Sequence, residues 1–148
     1  MAIFLKALVM FLVPTVVLAT DLKLDFSVAD QHGKEQTIPQ DTKLVIFAAD
    51  MDGYKLAREA FEENKIEDLS AKKVFFISDI SKMPALISKM FAIPKMKELK
   101  FQIFLDKDGT LTKDFPREEK KLTLLKLTEG KVTEKNFTDK KEELIKAL

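Results

Sequence analysis

Two short apolar runs with a helix between them constrain this chain most. "KLVIF" (Lys43 to Phe47) and "KKVFFISDI" (Lys72 to Ile80) lack polar alternation over their apolar cores. Each predicts a strand covered on both faces. Between them, Gly53 to Asn64 has helical spacing. Leu56, Ala60 and Phe61 share one face, while Glu59, Glu62 and Glu63 point outward. Covered strands joined through a helix run parallel, and such crossovers are nearly always right-handed.

The remaining segments extend the same pattern. "LDFSVAD" (Leu24 to Asp30) alternates with period two, and "QHGKEQ" turns at Gly33. A second helix is predicted from about Ser81, with Pro84 in its first turn, where a missing N–H costs nothing. It is predicted to stop before Pro94. "KFQIFLDKDGTL" (Lys100 to Leu111) reads as a strand running into a tight Asp-Gly hairpin turn. "KLTLLKLTEGKVTEKN" (Lys121 to Asn136) reads as a hairpin turning at Glu129-Gly130. Thr138 is predicted to cap a last helix, "DKKEELIKAL", with Glu142 and Glu143 pairing toward Lys146. The order describes an α/β sandwich of three layers around a mixed sheet.

The first nineteen residues read differently. Met1 to Lys6 carries one positive charge, Ala7 to Leu18 is almost wholly apolar, and Val17-Leu18-Ala19 is a small-x-small cleavage site. That is the pattern of a secretory signal peptide cut between Ala19 and Thr20. An uncleaved anchor is the competing reading, but the run is short against the roughly 20 residues of a membrane span. The expectation is therefore a signal over 1–19, one domain over 20–148, a periplasmic or secreted address, and no stable membrane insertion after cleavage.

Composition narrows the chemistry. Removing the one lysine of the signal from the 25 Lys and Arg leaves 24 against 24 acids. The charges are interleaved, so no nucleic-acid partner is expected. The chain has no cysteine. No disulfide locks the fold, so the apolar core must suffice, and thiol catalysis, zinc thiolates and iron–sulfur clusters are excluded. No G-x-G-x-x-G follows a strand, and the four glycines stand at turns, so no flavin or nicotinamide fingerprint is present. No serine stands in a nucleophile elbow, and His32 is the lone histidine, placed in a turn.

The order of elements and several motifs together resemble the thioredoxin-like fold in its peroxiredoxin and TlpA branch. "FSVADQHGKEQTIP" resembles the opening hairpin of that branch. "LVIFAADMDGYKLAREAFEE" resembles its first covered strand, loop and helix. "FQIFLDKDGTLTKDFP" and "KLTLLKLTEGKV" are similar to its later strands. Among named groups the likeness is nearest to the YtfJ-type exported bacterial proteins. The resemblance implies a thioredoxin-like three-layer α/β/α sandwich with a mixed central sheet and an N-terminal β-hairpin. It also implies a reactive sulfur at the start of the first helix, where the helix dipole lowers a thiol's pKa. Met51 and Tyr54 stand there instead. Lys121 falls near the position of a peroxiredoxin's arginine, and Leu122 near that of a thioredoxin's cis-proline. Without a thiolate, neither disulfide exchange nor thiol-based peroxide reduction is possible.

Other candidates follow from residue type. Asp50 and Asp52 near a helix start suit a cation, but helix capping explains them more simply. "DKDGT" (Asp106 to Thr110) resembles half an EF-hand without its distal glutamate, and a hairpin turn explains it better. Met83, Met90 and Met96 are a candidate Cu(I) set, against their ordinary use in filling core gaps. The favoured expectation is a non-catalytic protein without a cofactor. It would bind a periplasmic protein or peptide through Met51, Asp52, Tyr54, Phe101, Lys121 and Leu122. The alternative is a metal-handling protein or atypical enzyme using Asp50, Asp52 or the methionines.

Overall fold

The computed structural model describes residues 22–148, so the segment read as a signal peptide and its cleavage site lie outside the described residues. A small hairpin comes first, β1 (Ser27–Ala29) against β2 (Glu35–Thr37). Then follow β3 (Leu44–Ala48), α1 (Met51–Glu63) and β4 (Val74–Asp79). A helical arm comes next: α2 (Ala85–Ile87), a π-helical turn (Ser88–Ala92) and α3 (Ile93–Met96). The chain ends with β5 (Phe104–Asp106), β6 (Leu122–Thr128), β7 (Lys131–Thr138) and α4 (Lys141–Ala147). The central sheet has the order β5-β4-β3-β6-β7. β3, β4 and β5 run parallel, and β6 and β7 are antiparallel additions. The α/β class, the mixed sheet and the N-terminal hairpin are those the sequence predicts.

Alternation along β3 and β4 divides the core. Leu44, Ile46 and Ala48, with Val74 and Phe76, pack against Ala57, Ala60 and Phe61 of α1, Met96 of α3 and Leu144 of α4. Val45, Phe47, Phe75 and Ile77 pack the other way, against Val28, Phe115 and the half-buried Leu24, Phe26 and Ile38. The helices therefore share one face. The N-terminal segment and the loop after β5 form the third layer, in place of the helix expected there. The reason is topological. The steps β3 to β4 and β4 to β5 cross the sheet in the same direction, so two right-handed crossovers lie on the same side.

Four local expectations are corrected. The arm runs through Pro94. The π turn closes the Ile93 N–H onto the Ser88 carbonyl, and Pro94 then falls in the first turn of α3, where no N–H is required. The strand predicted over Lys100 to Leu111 shrinks to Phe104–Asp106, and "DKDGT" makes no hairpin, because β6 pairs with β3 instead. Asp106 folds that loop by accepting the Gly109 N–H (3.1 Å) and the Thr112 N–H and hydroxyl (2.9 and 2.6 Å). Thr138 ends β7 and accepts the Lys140 N–H at 3.1 Å, so Lys140 takes the cap position and α4 begins at Lys141 without a side-chain cap. Glu143 meets the Thr138 hydroxyl, and Lys141 ties α4 to α1 through Glu63 (2.8 Å) and Glu59 (3.2 Å). The Glu129-Gly130 turn is as predicted, with φ of +53° and +79°.

Candidate functional site

The start of α1 is joined to the approach of β6 by one carboxylate. Asp50, in extended backbone, caps the helix: its Oδ1 accepts the Gly53 N–H at 2.8 Å. Its Oδ2 accepts the Lys120 N–H, also at 2.8 Å. Both oxygens are engaged by backbone donors, which favours the capping role over cation binding. Gly53 permits the close approach of the two segments, since a Cβ there would lie 3.2 Å from the Lys121 carbonyl oxygen. Asp52 is exposed in the first turn, where a negative charge is favoured. Among the described residues no three acidic or histidine side chains converge as a metal site would require.

The backbone neighbourhood of Met51, Tyr54, Lys121 and Leu122 is the expected one, but their side chains part company. Leu122 is fully buried. Phe101 is also core, with its ring edge-on to Phe61 at 5.1 Å. Neither side chain presents a surface to a partner, contrary to the expectation from the sequence. Lys121 is half-buried and pairs with Glu118 at 3.2 Å. Core demand explains the change: Leu122 opens a strand whose inward positions must fill the α1 face, and Phe101 completes the aromatic cluster of Phe61 and Phe76.

Met51 and Tyr54 instead face the helical arm. With Arg58 they form one wall of a groove of about 590 Å³, and Met83, Ile87 and Phe91 belong to the other. Met96 closes the groove from the core side. Burial pushes the Tyr54 phenol above its ordinary value; Arg58 opposes that shift and Glu62 adds to it. Met83 and Met96 line the groove but the exposed Met90 does not, so the three methionines of the copper set do not share one pocket. Among the described residues, the large apolar side chains left exposed are Met51, Leu86, Ile87, Met90 and Phe91. They gather on this arm and the adjoining start of α1.

Two further clusters had no signal in the sequence. Arg117 donates to the Thr112 carbonyl (2.6 Å) and to Asp79 (3.2 Å), and its guanidinium lies 5.0 Å from the centre of the Phe47 ring. This arginine, rather than Lys121, is the cation fixed on the loop before β6. Gln31, almost wholly buried, donates to the Phe101 carbonyl (2.8 Å) and accepts the Ile103 N–H (3.0 Å). Asp30 beside it accepts from Gln102 and from the His32 and Lys34 N–H groups. Burial works to raise the Asp30 carboxyl, but these hydrogen bonds outweigh it and hold it below the usual carboxylate range. His32 itself is exposed in the turn, as the sequence predicts. These side chains stitch the hairpin to the segment before β5 and take the place of a longer strand.

No protein-family model matches the chain, and no curated protein matches it either. Solved structures do. StoA from Bacillus subtilis superposes with a TM-score of 0.54 at 17% identity, over 82% of this chain and 94% of that one. A secreted Mycobacterium tuberculosis disulfide oxidoreductase homologous to Escherichia coli DsbE gives 0.51 at 16% identity, over 86% and 96%. The exposed lipoprotein thioredoxin of Streptococcus pneumoniae gives 0.53 at 18% identity, over 82% and 96%. At these identities the likeness shows the fold alone, and that fold is thioredoxin-like. This chain carries it without a cysteine.

Proposed function

We propose that this is an exported, non-catalytic thioredoxin-like protein. It holds a peptide segment of a partner protein in the groove between α1 and the helical arm. One observation carries the reading: the start of α1, where the fold resemblance implies a reactive sulfur, borders an open apolar groove in a chain with no cysteine. A thioether and an aromatic ring adapt to apolar side chains of varied shape, which suits peptide contact. Arg58, Glu62 and Lys95 on the rim can meet the polar backbone of such a segment. The phenol of Tyr54, neutral at physiological pH and with its pKa raised further by burial, is a hydrogen-bond donor there.

The test is peptide selection on a displayed library, followed by titration of the selected peptide into isotope-labelled protein. Methyl and ring signals of Met51, Tyr54 and Phe91 are expected to shift. Met51→Ala/Tyr54→Ala is expected to weaken binding by tenfold or more, the loss typical of central aromatic anchors. Shifts confined to another face, or insulin reduction above background, sink the reading. A soft-metal role is the competing view, favoured by Met51, Met83 and Met96 lining one groove. It predicts stoichiometric Cu(I) retained through dialysis and lost in Met83→Leu.

A further inference from the structure

The groove does not account for the whole apolar surface of the arm. Leu86 and Met90, 66% and 57% exposed, lie outside its lining, so a peptide seated there would leave them in water. Ile87 and Phe91 continue the same surface at 45% and 63% exposure. The arm cannot turn this surface inward, because Ile93, Met96 and Leu99 already pack it onto the core.

Charge separates this surface from the rest of the molecule. The chain as a whole is nearly balanced, with 25 basic and 24 acidic residues. Yet from Ile80 to Lys97 there are four lysines, Lys82, Lys89, Lys95 and Lys97, and no aspartate or glutamate. All four are exposed. Glu98 follows directly, and Glu62 faces the groove from α1, so the acid-free region is limited to the arm.

We propose that the helical arm is a membrane-surface anchor, which lays Leu86, Ile87, Met90 and Phe91 into the headgroup boundary of an anionic bilayer while the lysines meet lipid phosphates. A helix with an apolar face and a basic flank is the pattern that lies in a bilayer interface. Among the described residues no helix is long and apolar enough to cross a membrane, so the contact is peripheral. An acidic apolar peptide has related chemistry. A bilayer fits better because the exposed apolar surface continues past the groove onto Leu86 and Met90, which lie outside its lining beside Lys89 in an acid-free stretch.

The test is co-sedimentation with vesicles of the chain from Thr20 onward, its N-terminus verified by mass spectrometry in every arm, because the apolar run Ala7 to Leu18 would by itself draw the protein to neutral vesicles. One vesicle set contains roughly one-third phosphatidylglycerol in phosphatidylethanolamine, and the other is phosphatidylcholine alone. Wild type is expected to pellet with the anionic vesicles, to stay in solution with the neutral ones, and to be released as salt rises. Leu86→Ser/Met90→Ser and Lys82→Gln/Lys89→Gln are each expected to lower partitioning by about tenfold or more, with unchanged circular dichroism. Neither pair lines the groove, so peptide affinity there is expected to stay at the wild-type level. Absence of vesicle binding, equal binding to neutral vesicles, or binding at the wild-type level by either variant overturns the proposal. So does a peptide that engages Leu86 and Met90 while vesicles do not.

Discussion

Asp50 carries two loads with two oxygens, and substitution can separate them. Asp50→Ala removes the helix cap, a loss of about 1 kcal/mol. It also strips the acceptor from the Lys120 N–H. A hydrogen bond to a charged acceptor contributes roughly 1.5–3 kcal/mol when sheltered. Lys120 is exposed, so water replaces part of it, and about 1 kcal/mol remains. The expected total for alanine is about 2 kcal/mol. Asp50→Asn keeps one oxygen for Gly53 but turns an NH₂ toward the Lys120 N–H, so it loses only the second load, about 1 kcal/mol. At roughly 4 °C per kcal/mol for a domain of this size, the midpoints fall by about 8 and 4 °C. Thermal unfolding followed by circular dichroism measures both shifts, and urea titration gives the two free-energy losses directly. Amide exchange then locates the loss: in Asp50→Asn the Lys120 N–H is expected to exchange faster while Gly53 stays protected. If Asn matches alanine, or matches wild type, the division between two oxygens is refuted. Stabilisation of wild type by millimolar Ca²⁺, absent from Asp50→Asn, would show instead that the carboxylate serves a cation.

Three other expectations rest on separate contacts. Gly53→Val places methyl groups against the Lys121 carbonyl and Leu122, so a loss of roughly 1–3 kcal/mol is expected in the same unfolding assay. Arg117→Met leaves the nearly buried Asp79 carboxylate without its partner and frees the Phe47 face; about 2 kcal/mol is expected, with only partial recovery in Arg117→Lys, which lacks the fork. Asp30 has a depressed carboxyl, so the unfolded chain binds more protons in the acid range and stability rises with pH there. Its contribution is full above the unfolded value of about 4 and is lost as pH falls through the lower folded value. The stability gap between wild type and Asp30→Asn is therefore expected to be constant near neutrality and to shrink below about pH 4 in pH-jump unfolding; a gap that grows on acidification refutes the assignment.

What was legible in the sequence was whatever depends on a short window of chain. The unbroken apolar runs at β3 and β4 and the 3.6-residue spacing of α1 are local facts, and the structure reproduces them. The Glu129-Gly130 turn and an aspartate cap at the start of α1 are equally local, because each needs only a few residues and their own backbone angles; that Asp50 rather than Asp52 is the cap is visible only in the structure. Cysteine chemistry was settled by composition, since no arrangement of this chain can supply a thiolate. Pro94 reads as a helix stop from its neighbours alone, but the π turn before it places the proline where its missing N–H does no harm.

The tertiary structure alone decided where side chains meet across long stretches of chain. Gln31 reaches Phe101 and Ile103 across some seventy positions, and through that contact β5 is cut short. Arg117 finds Asp79 across 38 positions. Phe101 and Leu122 disappear into the core, while Met51 and Tyr54 turn toward an arm whose inner side is already occupied. Periodicity states that a residue belongs to a buried or an exposed face; it does not state which distant element covers that face. That choice depends on strand order and crossover hand, which put every described helix on one side of the sheet and left an apolar, lysine-bearing arm at the edge of that layer.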